Sequence, residues 1–452
     1  MSSTDTDELR HVVSAVSRRL PDEVERLVAN GSLLDTADER VLAIRLANDE
    51  LANLDAGRLR AGRARLSGNE IAVLNDGLLA HLFGLAGLQM YLDDPDVESI
   101  DANGHAEVFV QYADGRVVTV APVASSEIEF IEVIKAAARR LGLGERRWDT
   151  TEPVLYLQLP DGSRLTAVLG GRTERGMSPV PIVSIRRHRL HDLQLDDLVG
   201  RGALTKQAAQ FLRAAVLARR TILVSGGTNT GKTTLLRAMC HEIPAYERLV
   251  TIERDLLELG LHRSSRHPNV VPLHSRQSNV EGEGEVSVAR LVQATLRLNP
   301  SRVIVGEVLG DEVIPMLNAM SQGNDGSMCT IHADSSETTF SRLATYAIQA
   351  PERMSHDATA ALVAGAVHLV VFVDADRGAN QPMRRYVSSI REVTGLADSG
   401  RVASSEVFGL DDGRRLQPKA ALSPRHRELL TRFGYSPIDH TAGWSAPRAA
   451  AR

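Results

Sequence analysis

Gly226-Gly227-Thr228-Asn229-Thr230-Gly231-Lys232-Thr233, followed by Thr234, is the stretch that decides how the chain folds. The run before it, Thr221-Ile222-Leu223-Val224-Ser225, is short and apolar and suits a buried strand. The run after it, Thr234-Leu235-Leu236-Arg237-Ala238-Met239, suits a helix. Glycines between strand and helix let consecutive N–H groups turn toward one anion, and the helix N-terminus adds partial positive charge. In such a phosphate-binding loop Lys232 reaches the β- and γ-phosphates of a nucleotide, and the Thr233 hydroxyl ligates Mg2+. A chance glycine-rich turn would not require a strand and a helix on these two sides. The expectation is an ATP and Mg2+ site over residues 226–234.

From about Leu204 to Asp374 short apolar runs alternate with longer helical ones, which implies a mostly parallel sheet covered on both faces, an α/β RecA-like domain. A P-loop needs a second acid for Mg2+ and a group that orients the attacking water. Arg302-Val303-Ile304-Val305-Gly306-Glu307 reads as a buried strand ending in a carboxylate, a Walker B pattern with Gly where an Asp is common. Glu307 then carries the metal role alone; the bland alternative is an acid capping the next helix. Thr251-Ile252-Glu253 ends another strand, and functional groups sit at the C-terminal ends of parallel strands. Glu253 is therefore a candidate general base or water positioner, with Asp255 and Glu258 close enough to share the task; a solvated acidic turn is the alternative. Met328-Cys329-Thr330-Ile331-His332-Ala333 is a further strand with His332 at its end. A lone strand-end histidine is more often structural, but its place after the loop Gly323–Ser327 favours a role in sensing the γ-phosphate.

Upstream, residues 1–69 read as a helical segment. Leu9, Val12, Val13 and Val16 recur at helical spacing, and Asn30-Gly31 ends a second helix. Arg58, Arg60, Arg63 and Arg65 form a basic run, read as a solvated helix face, with acidic lipid or a partner as the alternative. Residues 70–188 read as a mixed α/β domain. Its strands are Val97–Ala102, Glu107–Gln111, Leu155–Leu159, Leu165–Val168 and Val180–Ile185, and an amphipathic helix over Glu127–Leu143 stops at Gly142. Arg164 and Arg186 lie in this domain. Guanidinium groups bind phosphate oxygens in bidentate fashion, so both are candidates for reaching the nucleotide from outside the P-loop domain, against the plainer reading of surface arginines. Residues 189–203 read as a linker, 204–395 as the ATPase domain, and 396–452 as an irregular, partly disordered extension.

Composition narrows the class. Lys and Arg total 52 against 57 Asp and Glu, a net charge of −5, which argues against a basic coat for nucleic acid. Cys240 and Cys329 are the only cysteines; they fit a reducing compartment and cannot build a four-cysteine zinc site. The longest apolar run, near Leu362–Val373, contains His368 and is too short to span a bilayer. The expectation is a cytoplasmic protein that reaches a membrane only through a partner.

Four motifs occur in one order: the P-loop Gly226–Thr233, the acidic box Thr251-Ile252-Glu253, Ile304-Val305-Gly306-Glu307-Val308, and the histidine box Gly326–Ala333. With Asp161-Gly162-Ser163-Arg164, Ser184-Ile185-Arg186-Arg187 and Glu281–Val286, this set resembles the secretion traffic ATPases over residues 75–395. Within that superfamily the chain is most similar to the tight-adherence pilus and type IV secretion branch, since the other branch usually carries a four-cysteine zinc insertion. The resemblance implies a RecA-like domain after an N-terminal domain, ATP between them, and catalytic use of Glu253, Glu307, His332, Arg164 and Arg186. It also implies a hexameric ring on an inner-membrane platform protein, powering pilus assembly or protein export. The sequence departs from the family pattern at Arg254, where an acid is usual, at Leu309, where an arginine is usual, and at Asn324, where a histidine is frequent. The alternatives are a nucleotide-binding switch with little turnover and a DNA-translocating ATPase of a conjugation system.

Overall fold

The computed structural model describes residues 3–30, 34–141, 148–171, 176–187, 193–254, 256–276, 278, 283–376 and 383–436. Gly142, His188, Asp255, Glu281-Gly282 and the tail from Ala446 lie outside these residues. The chain divides into two compact units, Met1–Arg189 and Leu190–Arg452.

The first unit opens with three helices, α1 (Ser3–Ala29), α2 (Thr36–Arg60) and α3 (Gly68–Phe83). They share a core of Val12, Val13, Val16, Leu42, Leu46, Leu74 and Leu78. The two helices expected before Asn30 are one, running through Pro21. A proline inside a helix removes one backbone bond, but the apolar stripe on either side packs on α2 and α3 and keeps the axis continuous. Asp35 and Asp38 form a reciprocal capping box that starts α2. Arg58 is not a solvated face residue: it grips both oxygens of Glu8 at 2.7 and 2.9 Å and donates to the Ala64 carbonyl at 2.9 Å, tying α1 to the end of α2.

The rest of the unit comprises α4 (Gln89–Asp93), β1 (Val97–Asn103), β2 (Glu107–Tyr112), β3 (Val117–Val120), α5 (Glu127–Leu141), β4 (Val154–Gln158), β5 (Arg164–Val168) and β6 (Ile182–Arg186). The six strands form one antiparallel sheet in the order β3-β2-β1-β6-β5-β4. Its inward residues, among them Ile100, Val110, Leu157, Leu165 and Ile185, pack on Phe130, Ile134 and Ala137 of α5.

The second unit begins with α6 (Leu195–Gly200), a short helix inside the segment expected to be a linker; Leu195 and Leu198 bury against the core and give it its reason to fold. It continues with α7 (Lys206–Leu217), β7 (Ile222–Gly226), α8 (Lys232–Cys240), β8 (Leu249–Glu253), β9 (Val270–His274), α9 (Val288–Thr295), β10 (Arg302–Val308), α10 (Val313–Ser321), β11 (Met328–His332), α11 (Thr338–Gln349), α12 (His356–Ala366) and β12 (Leu369–Asp376). The strands run parallel in the order β12-β7-β11-β10-β8-β9. Alternate residues serve two cores. Ile222, Val224, Ile304, Met328, Leu369 and Val371 face α7 and α8, while Leu223, Val303, Val305, Ile331 and Val370 face α9–α12. Burial on both faces is why these strands read as unbroken apolar runs. This is the RecA-like α/β core, with the histidine-box strand inserted between the P-loop strand and the Walker B strand.

The extension expected to be irregular from residue 396 is ordered as far as 436. Strands β13 (Arg384–Leu396), β14 (Val402–Leu410) and β15 (Leu416–Pro418) add antiparallel to β12, and α13 (Pro424–Arg432) follows. Their polar outward residues hide the alternation: Ile390, Val407, Phe408 and Leu430 point into the core beside Phe211. Leu362–Val373 is no single element; it breaks at Val367 between α12 and β12. Among the described residues no single helix is long and apolar enough to cross a membrane.

Candidate active site

The loop after β7 has the geometry an anion cradle needs. Gly226 has φ 156°, and a Cβ there would lie 2.3 Å from the Val373 carbonyl of β12, so only glycine fits. Asn229 (φ 63°) and Gly231 (φ 98°) are left-handed, and Gly231 caps the N-terminus of α8. Thr230 closes the turn by donating to the Gly227 carbonyl at 3.0 Å. Thr228 is exposed, whereas Thr233 and Thr234 stand half-buried in the first turn of α8.

Lys232 is 6% exposed. Its ammonium donates to the Gly227 carbonyl at 2.8 Å and lies 3.2 Å from His332 Nδ1. His332 Nε2 lies 2.7 Å from Glu307 Oε1. An ammonium can only donate and a carboxylate can only accept, so the network assigns His332 as the neutral tautomer with its proton on Nε2. Three residues singled out on three separate motifs thus form one continuous Lys232–His332–Glu307 chain. The pairing of β11 with β7 and β10 sets it up: His332 is in register with Gly226, and Val308 with Ile331.

Glu253 comes to the same end of the sheet on β8. It is buried, and Oε2 accepts from the Leu259 N–H at 2.8 Å. Oε1 is buried without a hydrogen-bond partner among the described residues. Burial pushes its carboxyl up to about 8, with the Glu258 charge adding to the rise and the Leu259 N–H opposing it. The glycine at 306 now has a physical reason. A Cβ there would meet Glu253 Cγ at 3.0 Å, so the acid on β8 takes the room that a side chain on β10 would need. The Thr330 hydroxyl donates to the Gly306 carbonyl at 2.7 Å and fixes that stretch of β10.

A raised carboxyl has a thermodynamic consequence. The neutral form is the one the folded protein favours, so its contribution is complete below the ordinary carboxylate range and is lost as pH rises through about 8. Thermal melts of the wild type should fall off between about pH 4.5 and about pH 8, with a slope of up to about 1.4 kcal/mol per pH unit from this group. Glu253→Gln should remove that part of the decline, and equal pH dependence in both proteins would show that Glu253 is ionised throughout.

Two departures from the family pattern meet at one residue. Arg254 lies 3.3 Å from Glu312 Oε1, and the Leu309 N–H donates to the same oxygen at 2.6 Å. Glu312 is fully buried at the start of α10. Sequence reading passed it over; an acid five residues after Glu307, just ahead of an apolar helix, was the available signal. Asp255 lies outside the described residues, and Glu258 is half-buried with its carbonyl accepting from Arg237.

In the first unit, Arg164 and Arg186 stand directly opposite each other across β5 and β6, on the face away from that unit's core. Another site residue that sequence reading missed is Arg385 on β13. Its guanidinium donates to the Asn229 carbonyl at 3.0 Å, a contact between segments 156 positions apart that no local pattern announces.

Residues 87–403 match the family model described as type II/IV secretion system protein. A putative conjugal transfer protein of Mycobacterium tuberculosis is 34% identical over 298 residues, covering 64% of this chain and 80% of that protein. The type IV secretion system protein VirB11 of Brucella suis is 30% identical over 333 residues, covering 68% of this chain and 89% of its own length. The crystal structure of the VirB11 ATPase from the Brucella suis type IV secretion system, in complex with sulphate, is 29% identical with a TM-score of 0.35; the match covers 69% of this chain and 94% of that one.

Proposed function

The chain belongs to the type II/IV secretion system protein family, and from that membership we propose that it is an ATP-hydrolysing motor of a secretion or pilus machine. The observation that carries the proposal is the Lys232–His332–Glu307 chain at the mouth of the P-loop. The residues present fit ATP and Mg2+: a loop whose geometry admits only glycine at 226, a buried lysine, a hydroxyl at the start of α8 and a carboxylate on the Walker B strand β10, across β11 from the P-loop strand. Thr233 and Glu307 would hold Mg2+, which when bound would offset the negative charge of the phosphates.

Each side chain then has a task. The backbone N–H groups of residues 227–233 and the Lys232 ammonium neutralise the phosphates. Glu253, with Oε2 fixed by Leu259 and Oε1 unpartnered among the described residues, orients the attacking water and, in its ionised form, takes the proton; burial that raises its carboxyl to about 8 makes that carboxylate a stronger base than an exposed one. His332 joins the lysine on the phosphates to Glu307, so loss of the γ-phosphate is felt on β10 and β11 together. Arg164 and Arg186 supply two further guanidinium groups to the phosphates, from within the subunit or from the next one, and couple nucleotide state to domain movement.

A motor of this kind works as a ring, a hexamer seated on the cytoplasmic face of a membrane platform protein. Sedimentation with Mg-ATP, run alongside turnover, tests this: a closed ring that carries the activity supports it, and an active monomer at all concentrations overturns it. Mixing Arg186→Ala with Lys232→Ala subunits then reads the arginine's side, since recovered activity in mixed rings means action across subunits. The relatives named as conjugal transfer proteins favour a second reading, a motor that moves DNA. Turnover stimulated by DNA would support it.

A further inference from the structure

We propose that Arg385, on the antiparallel extension of the sheet, is a positioning residue of the nucleotide site, fixing the apex of the P-loop in its phosphate-binding shape. The inference rests on the reading of residues 226–234 as a nucleotide cradle. Arg385 Nε donates to the Asn229 carbonyl at 3.0 Å, and Nη2 lies 3.4 Å from the Asn229 side-chain oxygen. Asn229 is the non-glycine residue of the loop with positive φ, 63°, the left-handed region that L-residues other than asparagine and aspartate seldom adopt and that local contacts must hold. The guanidinium is that holder, because it meets the backbone carbonyl and the amide oxygen of one residue together. Its methylene stem lies over the loop as well: a Cβ on Gly231 would stand 3.5 Å from Arg385 Cδ.

The position of Arg385 gives the contact its reach. Arg385 pairs with Ala375 near the end of β12, the strand whose Val373 carbonyl packs on Gly226. The loop is thereby held at its entry by β12 and at its apex by β13. A guanidinium over the loop also places positive charge beside the phosphate site. The loop enters binding already ordered, so less conformational entropy is lost when a diphosphate or triphosphate docks. Nucleotide affinity should therefore depend on Arg385 more than the hydrolytic step does.

The test is calorimetric binding of Mg-ADP and steady-state ATP turnover by the full chain, as wild type, Arg385→Ala, Arg385→Gln and Arg385→Lys, with Lys232→Ala as the control. The expected result is a Kd for Mg-ADP raised about tenfold in the alanine and glutamine variants, the loss of one charge-assisted contact. KM for ATP should rise in parallel, kcat should stay within about threefold, and lysine should restore part of the affinity. Arg385→Gln keeps the stem and its packing, so it remains informative if alanine destabilises the fold. A Kd within twofold of wild type in a folded Arg385→Gln protein, while Lys232→Ala loses binding, overturns the inference and leaves the nucleotide site standing. Absence of Mg-ADP binding by the wild type removes the nucleotide reading itself, and this inference with it.

Discussion

Lys232→Ala is expected to lower ATP turnover by at least about a thousandfold, in line with other charged groups that act on a transferring phosphoryl group. It should also weaken ATP binding by more than tenfold. The lysine is buried, donates to the Gly227 carbonyl and touches His332, so its removal takes the point charge from the phosphates and the first link from the chain to Glu307. The fold should survive. The turn is made by Gly226, Gly231 and the Thr230 hydroxyl, and removing a buried ammonium relieves a desolvation cost as well as losing contacts. Phosphate release, nucleotide binding and a thermal melt on one preparation check all three points. A folded variant with wild-type turnover would remove the P-loop assignment.

Glu307→Gln should leave nucleotide binding within a few-fold and cut turnover by about two orders of magnitude. The amide keeps the shape of the carboxylate and can still accept from His332 Nε2, 2.7 Å away, but it has no charge to organise Mg2+. Phosphate release at saturating Mg-ATP is the measurement. If the wild-type rate persists, the metal role belongs to a residue other than Glu307. Since the His332 contact can survive the change, a loss of rate reads the charge and not the hydrogen bond.

Much of this site was legible because its chemistry is local. The P-loop spacing, and the acids and histidine at the ends of apolar strands, place Lys232, Glu253, Glu307 and His332 at one edge of a parallel sheet once that sheet is assumed. Period-two burial on both faces then explains the uninterrupted apolar runs of β7, β8, β10 and β11. What the sequence hid is long-range. The strands after residue 384 follow a polar stretch and carry polar outer faces, so their alternation against Phe211 is weak as a signal. Arg385 meets Asn229 only because β13 pairs with β12, a register that nothing near either residue encodes. The glycine at 306 read as a missing acid, and only the side chain of Glu253 beside it gives it a packing reason, since a side chain there would press on Glu253 Cγ. Arg254 and Leu309 likewise read as two separate losses, yet both converge on the buried Glu312.

The central claim is that this chain hydrolyses ATP at the site where Lys232, His332 and Glu307 meet. Steady-state phosphate release by the purified full-length protein, with and without Mg2+, tests it most directly. The expected result is sustained, Mg2+-dependent turnover that Lys232→Ala abolishes. Tight binding of Mg-ATP with no phosphate released over many minutes would contradict it and leave a nucleotide-binding switch in its place.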